Sequence, residues 1–409
     1  MIPTEEHPLL VSVTELQDYM RCRRKWDLTS ANRQSWVRAG APRTELWTGS
    51  AFHEGVAAQA LGEDPLDAVK RWSDEEIEKI AAEYVKVVGT GMSMEEQYRL
   101  ITSREAAQQL LVQYFDRYGW DNPVASKGYR IICPEVSFRI PFPNVGPHIY
   151  LVGTIDGVME HIVEKHLALI ENKTYSQKPD IRMLANDHQI TGYAFAAQHL
   201  IGEELAGCLY NGVNKKMSKP PRALAANSKT PPEGWLSMEW NDNILAQGYI
   251  DAVRKHHQVP DGEEAPAEIH EHYGVFIQRL KERENADQTP FHTRHWVDLS
   301  QYQIDEWGRN TEMVLHEIAS QDLAIYPHRR WEGCWDCDVE ELCSAMSRGD
   351  DLEYILENGY AKGTYGTQTA QRTLTPQNVS SRDDLLRLVN EWKEERAHKD
   401  AGLGDLQAL

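Results

Sequence analysis

Asp156, Glu171 and Lys173 carry the most specific chemistry in the sequence. Asp156 closes the run HIYLVGTID, and Glu171-Asn172-Lys173 closes HLALIENK; both runs have the β-branched, apolar character of strands. Side chains two apart on a strand share a face, so Glu171 and Lys173 project together while Ile170 and Asn172 face away. If the two strands pair, Asp156 comes alongside Glu171. Carboxylates that close repel each other unless a divalent cation lies between them, and hard oxygen ligands suit Mg²⁺ or Mn²⁺. Such a cation lowers the pKa of its water and stabilises charge on a phosphodiester in the transition state. A lysine alongside adds positive charge next to the attacking water or the scissile phosphate. These are the parts that phosphodiester hydrolysis requires. The plainer alternative is a hairpin with a solvated end, but the pair follows the apolar LALI, where a merely solvated charge pair is less expected.

The elements that would position these residues are legible around them. Ser12 to Leu28 reads as one helix with Ser12 as N-cap and Glu15 three residues on. Thr48 to Leu61 reads as a second helix, and residues 65–118 carry charged helical periodicity. Strands are expected at Tyr129–Ile140, His148–Glu160 and His166–Lys173, then a helix over about 182–202 and a strand at Leu205–Asn211. That order implies an α/β core with a central sheet. Residues 214–234 are basic and proline-rich and read as an exposed loop, with further connectors at 260–270 and 362–380. Residues 381–398 read as an amphipathic helix with Leu385, Leu388 and Trp392 on its apolar face.

The chain has 409 residues, with 43 Lys plus Arg against 63 Asp plus Glu and a net charge of −20. That counts against a non-specific nucleic-acid coat protein, yet an acidic exterior is compatible with a local basic groove. Candidate patches are Arg21, Arg23, Arg24 and Lys25, and Lys215, Lys216, Lys219 and Arg222. No apolar run is long enough for a membrane span, and MIPTEEHPLL lacks the features of a signal peptide, so a soluble cytoplasmic protein with no membrane partner is expected. No GxxxxGK[ST] motif is present, so this chain is expected to carry no ATP-driven motor of its own. Of the six cysteines, Cys133 and Cys208 sit in strand-like runs and read as small core hydrophobes. Cys334, Cys337 and Cys343 form C-x2-C-x5-C, and Cys22 stands far upstream in YMRCRRKW. Three clustered thiols need a fourth ligand to close either a zinc site or a four-iron cluster; Cys22 could provide it in either, and His328 in a zinc site.

Four motifs follow one another in order: Gly49…His53, Gly153…Asp156, Glu171…Lys173 and Gln189…Tyr193. This series resembles the PD-(D/E)xK nucleases, specifically the RecB-like branch that includes CRISPR-associated and phage exonucleases. The resemblance covers roughly residues 12–30, 47–60, 130–215 and 325–360. It implies a restriction-endonuclease-like core with a central mixed sheet flanked by helices, a helical insertion, and an iron–sulfur domain joining the N- and C-terminal segments. It implies His53, Asp156, Glu171 and the backbone carbonyl of Asn172 as metal ligands, and Lys173 as the catalytic lysine. Gln189 and Tyr193, four apart on one helical face, would orient the DNA backbone and the active site; Glu135 is a further supporting candidate.

Cys22 with Cys334, Cys337 and Cys343 is similar to the iron–sulfur version of this branch, in which one N-terminal and three C-terminal cysteines hold a [4Fe–4S] cluster. A structural zinc site on the same thiols is the alternative. Arg329, Arg330, Trp331 and Trp335 could contact DNA or pack the cluster. The implied organisation is N-terminal helices with the first cluster cysteine and the histidine ligand (1–60), a helical insertion (61–125), the nuclease core (126–215), a loop with remaining core (216–320), the cysteine segment (321–360), and a linker with a C-terminal helix (361–409). The function expected is a Mg²⁺- or Mn²⁺-dependent DNA exonuclease acting on free ends in recombination, repair or phage DNA metabolism in a bacterial or phage-infected cell. A helicase or a single-strand annealing protein is a plausible partner. A structure-specific endonuclease and a non-catalytic DNA-binding scaffold are the rival readings.

Overall fold

The computed structural model describes residues 3–38, 44–88, 91–215, 223–225, 268–270, 292–320, 322–328, 334, 337–362, 383–384, 386–387 and 390. In chain order the elements are β1 (Leu9–Ser12), α1 (Val13–Arg21), α2 (Arg23–Thr29), β2 (Trp36–Arg38), α3 (Thr44–Ala60), α4 (Pro65–Val88), α5 (Met94–Tyr118), β3 (Tyr129–Pro141), β4 (Ile149–His161), β5 (Leu167–Tyr175), α6 (His188–Ile201) and β6 (Leu205–Asn214). After them come β7 (Ala223–Ala225), β8 (Glu268–His270), β9 (His292–Val297), α7 (Gln301–Ala319), α8 (Glu340–Arg348), α9 (Glu353–Gly359) and β10 (Tyr360–Lys362).

The three expected central strands form, and they pair as the chemistry requires. β3 runs antiparallel to β4 along one edge. On β4's other edge, β1 pairs in parallel with Ile149–Val152, while β5 pairs antiparallel with Gly157–Glu160. Residues 153–156 therefore lie in a gap between β1 and β5, without a strand partner on that edge among the described residues. β5 continues in parallel register with β6, and β6 carries β9 antiparallel. The sheet is mixed, in the order β1-β4-β5-β6-β9 with β3 on β4.

Helices cover the sheet. Val13, Leu16 and Tyr19 of α1, Ile190, Ala194 and Ala197 of α6 and Ile304, Trp307 and Leu315 of α7 share one buried cluster with Val136, Leu151, Ile155 and Leu169. A second buried cluster joins α3, α4 and α5 through Phe52, Val56, Val69, Leu110, Leu111 and Tyr114 and reaches Val213 of β6. The long α4–α5 pair is thus anchored to the sheet through α3.

Two helices differ from expectation. The helix expected from Ser12 to Leu28 is broken at Cys22, whose backbone is extended (φ −160°, ψ 107°). Ser12 and Glu15 do form the reciprocal capping box at its start. The helix expected from about residue 182 begins at His188, because the Asp187 carboxylate accepts the Gln189 and Ile190 amides at 2.9 and 3.0 Å and so caps it there. Residues 181–186 form a separate 3₁₀ turn. The cap places Gln189 in the first turn of α6.

Most of the basic loop, the connectors, Trp331 and Trp335 with Arg329 and Arg330, and Leu385, Leu388 and Trp392 lie outside the described residues.

Candidate active site

Asp156 stands at the fork where β4 and β5 part. The last ladder pair is Gly157 with Ile170. One step further, Asn172 N–H donates to Asp156 Oδ2 at 2.7 Å, so a side chain replaces the ladder and fixes the carboxylate. Glu171 is buried at 2% exposure, and its neighbour Lys173 shares its face. Lys173 Nζ lies 2.6 Å from the buried Glu171 Oε1, an ion pair along the shared face of β5. Lys173 Nζ also donates to Gln189 Oε1 at 2.8 Å, and Gln189 Nε2 donates to the Tyr193 hydroxyl at 2.9 Å. The expected helical pair is therefore connected directly to the lysine.

His53 arrives from α3, with Nδ1 3.4 Å from Asp156 Oδ1. Gly49, one turn earlier, explains why the helix comes so near: a Cβ there would stand 2.9 Å from Thr174 Oγ1, beside Lys173. Gly153 has a similar role on β4, where a Cβ would meet the Phe138 ring at 2.6 Å. The spacing of both glycines from the site is thus a packing requirement.

Glu135 lies closer to the centre than its supporting status in the sequence implied. It occupies the position between the Pro134–Gly157 and Val136–Ile155 pairs, opposite Asp156. Its backbone is left-handed (φ 49°), an arrangement that costs a non-glycine residue about 1–2 kcal/mol. His53, Glu135 and Asp156 each offer one donor atom, all within 4.8 Å of one another. Glu171 is not one of that trio, being drawn toward Lys173.

The electrostatics follow from packing three carboxylates into a buried space. Burial, then repulsion by Asp156, pushes Glu135 up to about 8. Glu171 rises for the same reasons to about 7, with Lys173 pulling the other way. Burial would also raise Asp156, but His53, Lys173 and the Asn172 amide overcome it and hold that carboxyl below its usual range. For His53, burial disfavours the imidazolium, yet Asp156 and then Glu135 outweigh it and raise the ring to about 9. Lys173 is held above the usual ammonium range by Glu171 and Asp156 despite its burial, so it stays charged. Burial, reinforced by Glu171 and Asp156, raises Tyr193, so its hydroxyl keeps its proton. Clustered buried carboxylates of this kind, together with an imidazole, form a donor set that fits a hard divalent cation.

A family model of the PD-(D/E)XK nuclease superfamily matches residues 10–344. The chain belongs to that superfamily. A PD-(D/E)XK nuclease is a hydrolase that uses divalent metals such as Mg²⁺ or Mn²⁺ and acts on DNA. The mixed sheet flanked by helices agrees with the fold of the superfamily. A comparison with curated proteins finds none that matches. No helix among the described residues is long and apolar enough to cross a membrane.

Behind the PD-(D/E)XK site lies a polar relay not apparent in the sequence. Asn211 Nδ2 donates to Asn172 Oδ1 at 2.7 Å, and Arg294 Nε donates to Asn211 Oδ1 at 2.9 Å. Arg294 also reaches the Pro123 carbonyl at 2.7 Å and the Tyr114 hydroxyl at 2.8 Å, with its guanidinium over the Tyr118 ring. β9 and α5 thereby hold Asn172, whose amide holds Asp156. Such supporting shells commonly affect metal affinity or activity about 10–100-fold. Arg294→Met is expected to weaken Mn²⁺ binding or slow turnover within that range while leaving the amide of Asn172 in place. Calorimetry and single-turnover rates check this, and wild-type values for both would remove the relay from the site.

Three of the four residues in the first basic patch are engaged within the protein, while Arg21 is exposed. Arg23 pairs with Glu317, Lys25 Nζ lies 2.7 Å from Asp18, and Arg24 donates to Ser347 Oγ at 3.2 Å. These bonds tie α1 and α2 to α7 and α8. Of the second patch, only Lys215 lies within the described residues.

Proposed function

We propose that this nuclease is a DNA exonuclease that hydrolyses phosphodiester bonds at free ends during recombination, repair or phage DNA processing. The observation that carries the reading is the continuous line Glu171–Lys173–Gln189–Tyr193 beside the His53–Glu135–Asp156 trio. In this reading His53, Asp156, Glu171 and the Asn172 carbonyl hold Mg²⁺ or Mn²⁺, with Glu135 as an added donor. When bound, the cation supplies Lewis acidity for the attacking water and for the charge that grows on the phosphodiester. Lys173 contributes a fixed ammonium at the reacting phosphate, in a buried setting where a charge acts more strongly than in water. Gln189 keeps that ammonium in place and Tyr193 keeps Gln189 in place. The preference for ends rests on the ordered motifs and the cysteine set.

A [4Fe–4S] cluster on Cys22, Cys334, Cys337 and Cys343 belongs to the same reading. All four thiols are part-exposed and free, whereas Cys133 and Cys208 are buried. The helix break at Cys22 puts its Sγ 3.3 Å from the His328 amide, which donates to it, as amides commonly do to cluster thiolates. Leu28 packs with Val339, Leu342 and Tyr360, against which Cys337 is part-buried. When bound, the cluster would staple the ends of the chain and take no part in hydrolysis. Protein purified without oxygen is expected to be brown, with broad visible absorbance that Cys334→Ser bleaches; colourless, zinc-loaded protein would contradict the cluster.

End-labelled linear single- and double-stranded DNA, assayed with Mg²⁺, Mn²⁺ or EDTA beside a covalently closed circle, tests the main proposal. Metal-dependent loss of the linear substrates with the circle intact is expected. Nicking of the circle would make the enzyme an endonuclease, and binding without cleavage would make it a scaffold. A helicase or an annealing protein remains the kind of partner that the missing motor motif suggests.

A further inference from the structure

At the opposite end of the catalytic hairpin, β4 and β5 are joined by a tight turn that gathers a second group of metal-type donors. His161 N–H donates to the His166 carbonyl at 2.9 Å and Lys165 N–H to the His161 carbonyl at 3.0 Å, with Lys165 left-handed at φ 66°. The turn stacks the two imidazoles, their centroids 4.8 Å apart and planes 16° from parallel. Glu164 bridges them: its amide donates to His161 Nδ1 at 3.0 Å, and its Oε2 lies 3.2 Å from His166 Nδ1. The Tyr129 hydroxyl lies 2.6 Å from His166 Nε2. One donor atom from each of His161, Glu164 and His166 falls within 4.8 Å of the others.

We propose that His161, Glu164 and His166 form a second metal site, for a borderline cation of the Zn²⁺ class, which clamps the β4–β5 turn. Two imidazoles and one carboxylate are a zinc-type donor set, whereas Mg²⁺ prefers oxygen. The cation sits between His166 Nδ1 and Glu164, with His166 Nε2 then carrying its hydrogen toward the Tyr129 oxygen; His161 Nδ1 already accepts the Glu164 amide, so that ring ligates through Nε2. A ligating imidazole usually has such an outer partner. Buried Glu160 pairs with Arg130 at 2.8 Å and Lys165 at 3.3 Å, which offsets one of these two nearby positive charges, and the Glu164 carboxylate offsets the other. Glu164 is largely exposed and swings to a cation by side-chain rotation, while the two imidazoles turn out of their stack so that each presents its in-plane lone pair, and water completes the shell.

The position gives the site its role. His161 lies five residues beyond Asp156 on β4, and His166 five residues before Glu171 on β5. At strand spacing that is roughly 16 Å from the catalytic carboxylates, too far to share a cation with them. A clamp there fixes the short ladder from Gly157–Ile170 to Glu160–Leu167, which sets Asp156 beside Glu171.

The test titrates full-length, chelator-stripped protein with Zn²⁺ alone, by calorimetry and thermal melting. The expected result is a Zn²⁺ equivalent with a dissociation constant on the order of micromolar and a raised Tm, beyond what the catalytic donors and the thiols bind. That equivalent and its part of the melting shift are lost in His161→Ala/His166→Ala and kept in Asp156→Asn and in Cys334→Ser, which separates this site from the other two. Because the double variant can disturb the turn by itself, His166→Gln provides a second arm that keeps a hydrogen-bonding group toward Tyr129. It should match the wild-type Tm without metal and lose the same part of the Zn²⁺-dependent rise. An unchanged Zn²⁺ stoichiometry and an unchanged melting shift in the two histidine variants would overturn the proposal.

Discussion

Lys173→Met is expected to lower the single-turnover cleavage rate about 10³-fold while DNA affinity stays within about threefold of wild type. The ammonium is a positive charge that, unlike the His53 imidazolium, need not give up its proton when a cation binds, and it lies 2.6 Å from Glu171 and 2.8 Å from Gln189. Its side chain is part-exposed, so water can enter beside the variant but cannot supply the lost positive charge. Methionine keeps the stem that packs along β5 and removes only the charge. Lys173→Arg should fare little better, because a planar guanidinium cannot meet Glu171 and Gln189 from the same point. Gln189→Ala should cost less, about 10-fold, since it loosens the ammonium without removing it. Cleavage by end-labelled DNA and binding by anisotropy in Ca²⁺ separate the two effects. Cleavage at the wild-type rate in Lys173→Met would remove the proposed centre, whatever else the fold does.

Much of this site was legible because its chemistry sits on regular elements. A period of two put Glu171 and Lys173 on one face, and a period near four joined Gln189 to Tyr193. Both arguments need only local geometry. Glu135 was harder to weigh, because its approach depends on a left-handed residue in β3, which alternation along a strand does not anticipate. The Arg294–Asn211–Asn172 relay joins residues of three neighbouring strands that are far apart in sequence, and so has no local signal at all. β9 was hidden by His292, Arg294 and His295, polar residues that strand patterns normally exclude. Here Arg294 is satisfied by Asn211, Pro123 and Tyr114, which is what lets it occupy a strand inside the protein. α7 was readable in hindsight, from the Ser300–Gln303 capping box and Ile304, Trp307, Thr311, Leu315 and Ile318 on one face. The break at Cys22 was not, because RCRRKW is ordinary helical sequence and only contact with the segment around His328 gives it a reason.

Metal binding at the catalytic site should release protons and strengthen steeply with pH. Glu171 is raised to about 7, Glu135 to about 8 and His53 to about 9, so near pH 6.5 all three hold protons in the metal-free protein. Each must lose its proton before its lone pair can coordinate, and protons therefore compete with the cation. Asp156, lowered by His53, Lys173 and the Asn172 amide in spite of burial, is already ionised across this range. The sign for stability is the same for the three raised groups. Their protonated forms favour the fold fully below the unfolded values, about 4.5 for the glutamates and 6.5 for the histidine. That contribution is lost as pH rises through about 7, 8 and 9, so the metal-free protein weakens from mildly acidic to alkaline pH while metal increasingly offsets the loss. Mn²⁺ affinity is expected to rise at least about tenfold from pH 6.5 to 8.5, with about one or more protons released per ion. Calorimetry in two buffers of different ionisation enthalpy, in a His161→Ala/His166→Ala background that leaves the turn unable to bind, reads both quantities. An affinity that is flat over this range, with no net proton release, would mean that these carboxylates and the imidazole are not the ligands.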